Sequence, residues 1–90
     1  MIMKTENNAT IVDVRTPEEF VESHFPKAIN IPLDQIQQRI NEFNKMPKPI
    51  ITYCHSGARS GMALSFLIQA GITEVKNGGG LQDMLQQKKI

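Results

Sequence analysis

The apolar positions of this 90-residue chain change period repeatedly, and each change marks an element. Ala9-Thr10-Ile11-Val12-Asp13-Val14-Arg15 is rich in β-branched residues and reads as a strand, interrupted near its C-terminal end by Asp13. Thr16-Pro17-Glu18-Glu19 starts a helix: Thr16 caps, Pro17 suits the first helical position and Glu19 closes a capping box. Pro26 ends that helix by disfavouring helical geometry at Phe25. Lys27-Ala28-Ile29-Asn30-Ile31 alternates as a short strand, with Ile29 and Ile31 on one face. From Leu33 to Asn44, Leu33, Ile36, Ile40 and Phe43 form one face of an amphipathic helix. Pro49-Ile50-Ile51-Thr52-Tyr53 is the next strand. From about Ser60 to Ala70 the chain is apolar around a narrow stripe of Gly61, Ser65 and Gln69, which predicts a mostly buried helix with Gly71 as a left-handed C-cap. Thr73-Glu74-Val75-Lys76 is a short strand and Asn77-Gly78-Gly79-Gly80 a flexible turn. Leu81, Met84 and Leu85 give a last short helix one apolar face.

Strand and helix alternate throughout, which predicts an α/β fold: one small, mostly parallel sheet of four to five strands with helices on both faces. No repeat, low-complexity tract or linker divides residues 1–90, so the expectation is a single domain. Its first eight residues are polar and expected to fray, with Ile2 and Met3 available for a short edge pairing.

Composition narrows the function by exclusion. Hydrophobic residues are 40% and charged residues 21% of the chain, ordinary for a soluble globular protein. Ten Lys and Arg against nine Asp and Glu leave a net charge of +1, too little field to draw in nucleic acid or an acidic membrane. One tyrosine, four phenylalanines and no tryptophan make base-stacking platforms unpromising. No segment approaches the length of a membrane span, and residues 1–8 hold no apolar run of signal-peptide length. A lone cysteine excludes an intramolecular disulfide and a Cys-only metal site, and without an export signal it fits a reducing cytoplasm.

That cysteine, Cys54, stands where a strand hands over to a helix. Backbone N–H groups converge on anions at such a junction, and the helix dipole adds partial positive charge. A thiol there is more acidic than a free one. A single cysteine is more often an inert core residue. The context reverses the odds, because Cys54 is followed by His55-Ser56-Gly57-Ala58-Arg59-Ser60, a small polar loop with one permissive glycine and one fixed cation.

Cys54-His55-Ser56-Gly57-Ala58-Arg59-Ser60 resembles the active-site loop of the rhodanese superfamily of sulfurtransferases. Ile11-Val12-Asp13-Val14-Arg15-Thr16-Pro17-Glu18-Glu19-Phe20 resembles that family's early Asp-x-Arg segment and helix start. His24-Phe25-Pro26-Lys27-Ala28-Ile29-Asn30-Ile31-Pro32 resembles its next block, and Ala70-Gly71-Ile72 and Gly78-Gly79-Gly80 match later landmarks. The chain departs from the pattern at Ser23 and Lys27, where glycines are usual, and at Met84, where a tryptophan is common.

The resemblance implies a sulfurtransferase that moves a sulfane sulfur from thiosulfate or a persulfide donor to cyanide or a thiol through a Cys54 persulfide. His55, Ser56, Gly57, Ala58, Arg59 and Ser60 would bind the substrate or persulfide, with Arg59 holding the anionic donor. No cofactor is implied. The partners implied are a small anionic sulfur donor and a thiol or sulfur-acceptor protein. Related phosphatases place one more residue between cysteine and arginine than the four here, which favours sulfur over phosphoryl transfer. A phosphatase or arsenate reductase, and a non-enzymatic sulfur carrier, are the alternatives. Asp13 is expected to support the loop from below, Arg15 to pair with Glu19 on the surface, His24 to stabilise a turn and His55 to line the pocket. Cys54, His55 and His24 have no metal-site spacing.

Overall fold

The computed structural model describes residues 9–88, so the expectations for residues 1–8, including the edge pairing of Ile2 and Met3, lie outside it. Four parallel strands in the order β2-β1-β3-β4 make the sheet: β1 (Thr10–Asp13), β2 (Ile29–Asn30), β3 (Ile50–Cys54) and β4 (Val75–Gly80). The helices are α1 (Pro17–Glu22), α2 (Ile40–Lys45), α3 (Ala58–Gln69) and α4 (Leu81–Lys88).

Central strand β3 is buried along its whole length, and its side chains alternate between two cores. Ile50 and Cys54 join Val12, Ile36, Phe43, Ala63 and Leu67 on the side of α2 and α3. Ile51 and Tyr53 join Phe25 and Met84 on the other, where Phe20 of α1 and Leu81 and Leu85 of α4 pack. Helices thus cover both faces, and Met84 fills the interior on the second. Each fully buried Leu, Ile or Phe contributes roughly 1.5–3 kcal/mol relative to exposure.

Local signals are obeyed at α1. Thr16 Oγ1 accepts from Glu19 N at 3.3 Å and Thr16 N donates to Glu19 Oε1 at 3.0 Å, completing the capping box behind Pro17. Gly71 takes the left-handed conformation, with φ 91°, after α3.

Four expectations are corrected. The span from Leu33 to Asn44 is two 3₁₀ turns, Leu33–Gln35 and Gln37–Arg39, followed by α2. Pro32 supplies no side-chain cap there and Arg39 departs to φ −115°, ψ 26°, while the i,i+3 pair Leu33/Ile36 suits three residues per turn. Helix α3 is amphipathic rather than mostly buried, since only one face meets the sheet; Met62 is 53% and Ile68 49% exposed. Ile29 and Ile31 part company, at 42% and 1% exposure, because the edge strand β2 is paired over two residues only. Finally, Asn77 to Gly80 are not a flexible turn but part of β4. No described helix is long and apolar enough to cross a membrane.

Candidate active site

Cys54 ends β3 with only 1% of its surface exposed. A register shift against β4 between Thr52 and Cys54 sets it opposite Gly80. The chain then turns through Gly57, whose φ of 100° is readily accessible to glycine alone, and enters α3. Glycine offers no side chain to cap the helix. The sulfur does so instead: Cys54 Sγ accepts from Gly57 N at 3.0 Å and from Ser60 N at 3.4 Å. Its thiol also lies 3.6 Å from Ser60 Oγ.

These contacts decide the acidity of Cys54. Burial pushes the thiol up, but hydrogen bonding to the sulfur, from the Ser60 N–H first and from the Gly57 and Ser56 N–H groups with it, outweighs it. The net shift is downward, towards the thiolate.

Strand β4 backs the loop closely. A Cβ on Gly80 would collide with the His55 carbonyl, and one on Gly78 would meet the Met84 sulfur. The glycine run is therefore a packing surface for the cysteine loop. Its sequence signal, three adjacent glycines, is the same one that suggests flexibility.

Asp13 and Arg15 sit elsewhere than expected. Asp13 is fully buried at the end of β1 and does not reach the loop as a hydrogen-bond partner; its carboxylate faces Arg15 and Tyr53. Arg15 is 5% exposed rather than on the surface. Its Nε and Nη2 donate to Asp13 at 2.7–3.1 Å and Nη2 also donates to Ser23 O at 2.6 Å. Tyr53 donates its hydroxyl to Asp13 Oδ2 and accepts from Phe25 N, both at 2.9 Å. Burial first, and the Asp13 carboxylate with it, pushes the Tyr53 phenol up to about 12 against the opposing Phe25 bond. Arg15 N also donates to Asp13 Oδ1 at 2.9 Å, so the two meet through a local aspartate turn just past the end of β1.

Glu19 pairs with Arg59, not with Arg15. Arg59 Nη1 and Nη2 donate to the two Glu19 oxygens at 2.8 and 3.1 Å, a bidentate pair whose side chains are about one-third exposed. Hydrogen bonding from Arg59, opposed by burial and helped by Thr16, holds the Glu19 carboxyl down at about 2. The guanidinium fork expected to grip a substrate anion thus braces the loop against α1. Two clefts flank this brace. One of about 420 Å³ is mainly apolar, with Val14, Leu33, Met62 and Phe66 beside Arg59. The other, about 350 Å³, is polar, with Arg15, Glu19, Glu22 and His55.

His55 is exposed and lines that polar cleft. His24 stacks on Phe20 with ring centroids 3.8 Å apart, and its Nδ1 lies 2.8 Å from Phe20 O, bracing the end of α1. Ser56 and Ala58 are exposed, while Ser60 is fully buried against the sulfur. Among the described residues, no three His, Cys, Asp or Glu side chains are grouped to hold a metal ion.

A model of the rhodanese-like domain matches residues 2–86. Thiosulfate sulfurtransferase PspE of Escherichia coli (strain K12) is 38% identical over 78 residues, which are 86% of this chain and 75% of that protein. A sulfurtransferase of Allochromatium vinosum is 39% identical over 67 residues, 74% of this chain and 62% of that protein. A solved structure described as rhodanese with anions from E. coli superposes with a TM-score of 0.76 at 38% identity, covering 83% of this chain and 89% of the other.

Proposed function

The chain belongs to the rhodanese-like domain family, and from that premise we propose that it is a thiosulfate sulfurtransferase working through a persulfide on Cys54. One observation carries the mechanism: a buried sulfur that accepts two backbone N–H bonds at the start of a helix. Helix geometry leaves further N–H groups, those of Ala58 and Arg59, without an intrahelical acceptor. Such donors, fixed before reaction, stabilise negative charge without reorganisation.

In the first step the Cys54 thiolate attacks the outer sulfur of thiosulfate. The S–S bond of the donor breaks, and sulfite leaves with its electron pair. The outer sulfur, now a persulfide anion, is held by the N–H groups of Ala58 and Arg59 and by the helix dipole. In the second step cyanide or a thiolate attacks that sulfur, and the Cys54 thiolate departs. Arg59 contributes positive charge at the rim while its fork keeps the loop in place through Glu19. His55, from its cleft, meets the acceptor as it approaches.

Incubation of the reduced protein with thiosulfate should add one sulfur atom by intact mass, and cyanide should then release thiocyanate. Cys54→Ser should reduce both signals to background while changing unfolding free energy by less than about 1 kcal/mol. Thiocyanate production that survives in Cys54→Ser would exclude Cys54 as the nucleophile. Turnover of an aryl phosphate without any sulfur adduct would favour the phosphatase instead, and an adduct formed only with a partner desulfurase would favour the carrier.

A further inference from the structure

Asn77 lies on β4, outside the cysteine loop, and is exposed. Exposed asparagines commonly leave their carboxamides to water, but this one is tied at both ends. Oδ1 accepts from the Ser60 hydroxyl at 2.6 Å and from Gly79 N at 2.9 Å, and Nδ2 donates to Gly57 O at 3.1 Å. The amide can face only one way. Gly79 N–H only donates and the Gly57 carbonyl only accepts, so a reversed carboxamide would oppose donor to donor and acceptor to acceptor. Gly61 of α3 leaves it room: a Cβ there would already stand 3.4 Å from Asn77 Nδ2.

The grip on Gly57 has a consequence for the sulfur. A trans peptide is planar, with its C=O and the following N–H pointing in opposite directions. The carbonyl of Gly57 and the N–H of Ala58 belong to one such plane. Fixing that carbonyl towards Asn77 aims the Ala58 N–H away from it, and Gly61 N, which donates to the same carbonyl at 3.0 Å, reinforces the orientation. Oδ1 simultaneously holds the Ser60 side chain, whose own N–H donates to Cys54 Sγ.

We propose that Asn77 is a positioning residue for the Cys54 persulfide, orienting the Gly57–Ala58 peptide so that the Ala58 N–H serves the outer sulfur. The inference rests on the sulfurtransferase reading and deepens it, since it assigns to a residue outside the loop the aim of one of the loop's donors. Asn77 touches neither sulfur and acts through Gly57 and Ser60.

The test is the equilibrium between free and persulfidated protein, read by intact mass at fixed ratios of thiosulfate to sulfite. Asn77→Ala should shift that equilibrium about fivefold towards the free thiol, the size of one neutral hydrogen bond. Alkylation of the resting thiol by iodoacetamide should change by less than about twofold, because the Gly57 and Ser60 N–H bonds to Sγ remain. Asn77→Ser, smaller and still polar, repeats the measurement should the alanine variant fold poorly. An equilibrium equal to wild type in a folded variant would overturn the proposal, as would a matching loss in alkylation, which would signal general loosening. If wild-type protein formed no persulfide at all, the sulfurtransferase reading itself would fall, and Asn77's role with it.

Discussion

Two polar clusters stand side by side at the C-terminal ends of β1 and β3, and they are built on opposite rules. Around Asp13, charge is dense and every group is answered: the carboxylate receives Arg15 N, Nε and Nη2 and the Tyr53 hydroxyl, and Arg15 also reaches Ser23 O. Around Cys54 there is little formal charge, but backbone donors exceed acceptors, so the sulfur is the object of N–H groups that have nowhere better to go. The matched cluster stabilises a structure. In the proposed mechanism the unmatched one is where charge would be stabilised during reaction. On that reading, reactivity follows surplus donors, not density of charge. Glu19 and Arg59 join the two, one on α1 after the first cluster and one on α3 after the second.

Breaking the matched cluster should have the largest effect on stability. Asp13→Ala strands the Arg15 guanidinium in a site 6% exposed, with a tyrosine hydroxyl left without its acceptor. Removing one partner of a buried pair costs about 3–5 kcal/mol, against a total stability of about 5–15 kcal/mol for a natural domain. Urea unfolding should show that loss. The fraction that stays folded should still react at Cys54 at close to the wild-type rate. A loss below about 1 kcal/mol would mean that the cluster is far less buried in solution than its geometry implies.

Cutting the link should cost less and should depend on pH. Glu19→Gln removes an ion pair about one-third exposed, worth about 0.2–1 kcal/mol after solvent screening. Its folded carboxyl is held at about 2, against an ordinary value of 4.5, by Arg59 first and with burial opposing. A depressed carboxyl contributes stability that is present above 4.5 and lost as pH falls through about 2. The stability gap between wild type and Glu19→Gln should thus be full at neutral pH and close between 4.5 and 2. Denaturant titrations across that range check it; a gap unchanged at pH 2 would show that the carboxylate charge is not its cause. Sulfur transfer should fall by about three- to tenfold as Arg59 loosens, an effect of about 0.7–1.4 kcal/mol on the barrier.

What the sequence made legible follows the same division. Local rules declared themselves: Thr16 and Glu19 announced a capping box, Gly71 a C-cap, and Cys54 through Ser60 a strand-to-helix loop with an anion-binding composition. Partners far apart along the chain did not. Glu19 was visible as a cap but not as the partner of Arg59, forty residues on. Arg15 looked like a surface residue because arginines usually are, and hydrophobic periodicity does not announce the turn that folds it back onto Asp13 just past β1. Asn77 to Gly80 looked flexible because glycine permits turns; only the approach of His55 and Met84 shows that these glycines are there for closeness. Helix periodicity placed Ser65 and Gln69 outward on α3 but not Met62 and Ile68, because it does not tell how much of the helix the small sheet can cover.

The last effect expected, one on stability alone with sulfur chemistry unmoved, lies at the edge of the matched cluster and sharpens the contrast from the stabilising side. Lys27 holds φ at 70°, the left-handed region that side chains other than glycine, asparagine and aspartate rarely adopt. It sits in the turn between Phe25, whose N–H donates to the Tyr53 hydroxyl, and β2. A non-glycine residue there costs of order 1–3 kcal/mol, partly offset by the backbone entropy that glycine would lose on folding. Lys27→Gly should therefore raise unfolding free energy by about 0.5–1 kcal/mol, seen as a higher urea midpoint at unchanged slope. Lys27 is exposed and makes no contact with the cysteine loop among the described hydrogen bonds and ion pairs, so Cys54 alkylation and persulfide formation should stay at wild-type values. If stability rose and sulfur chemistry changed with it, the two clusters would be coupled through more than Glu19 and Arg59, and the separation of matched from unmatched groups would need redrawing.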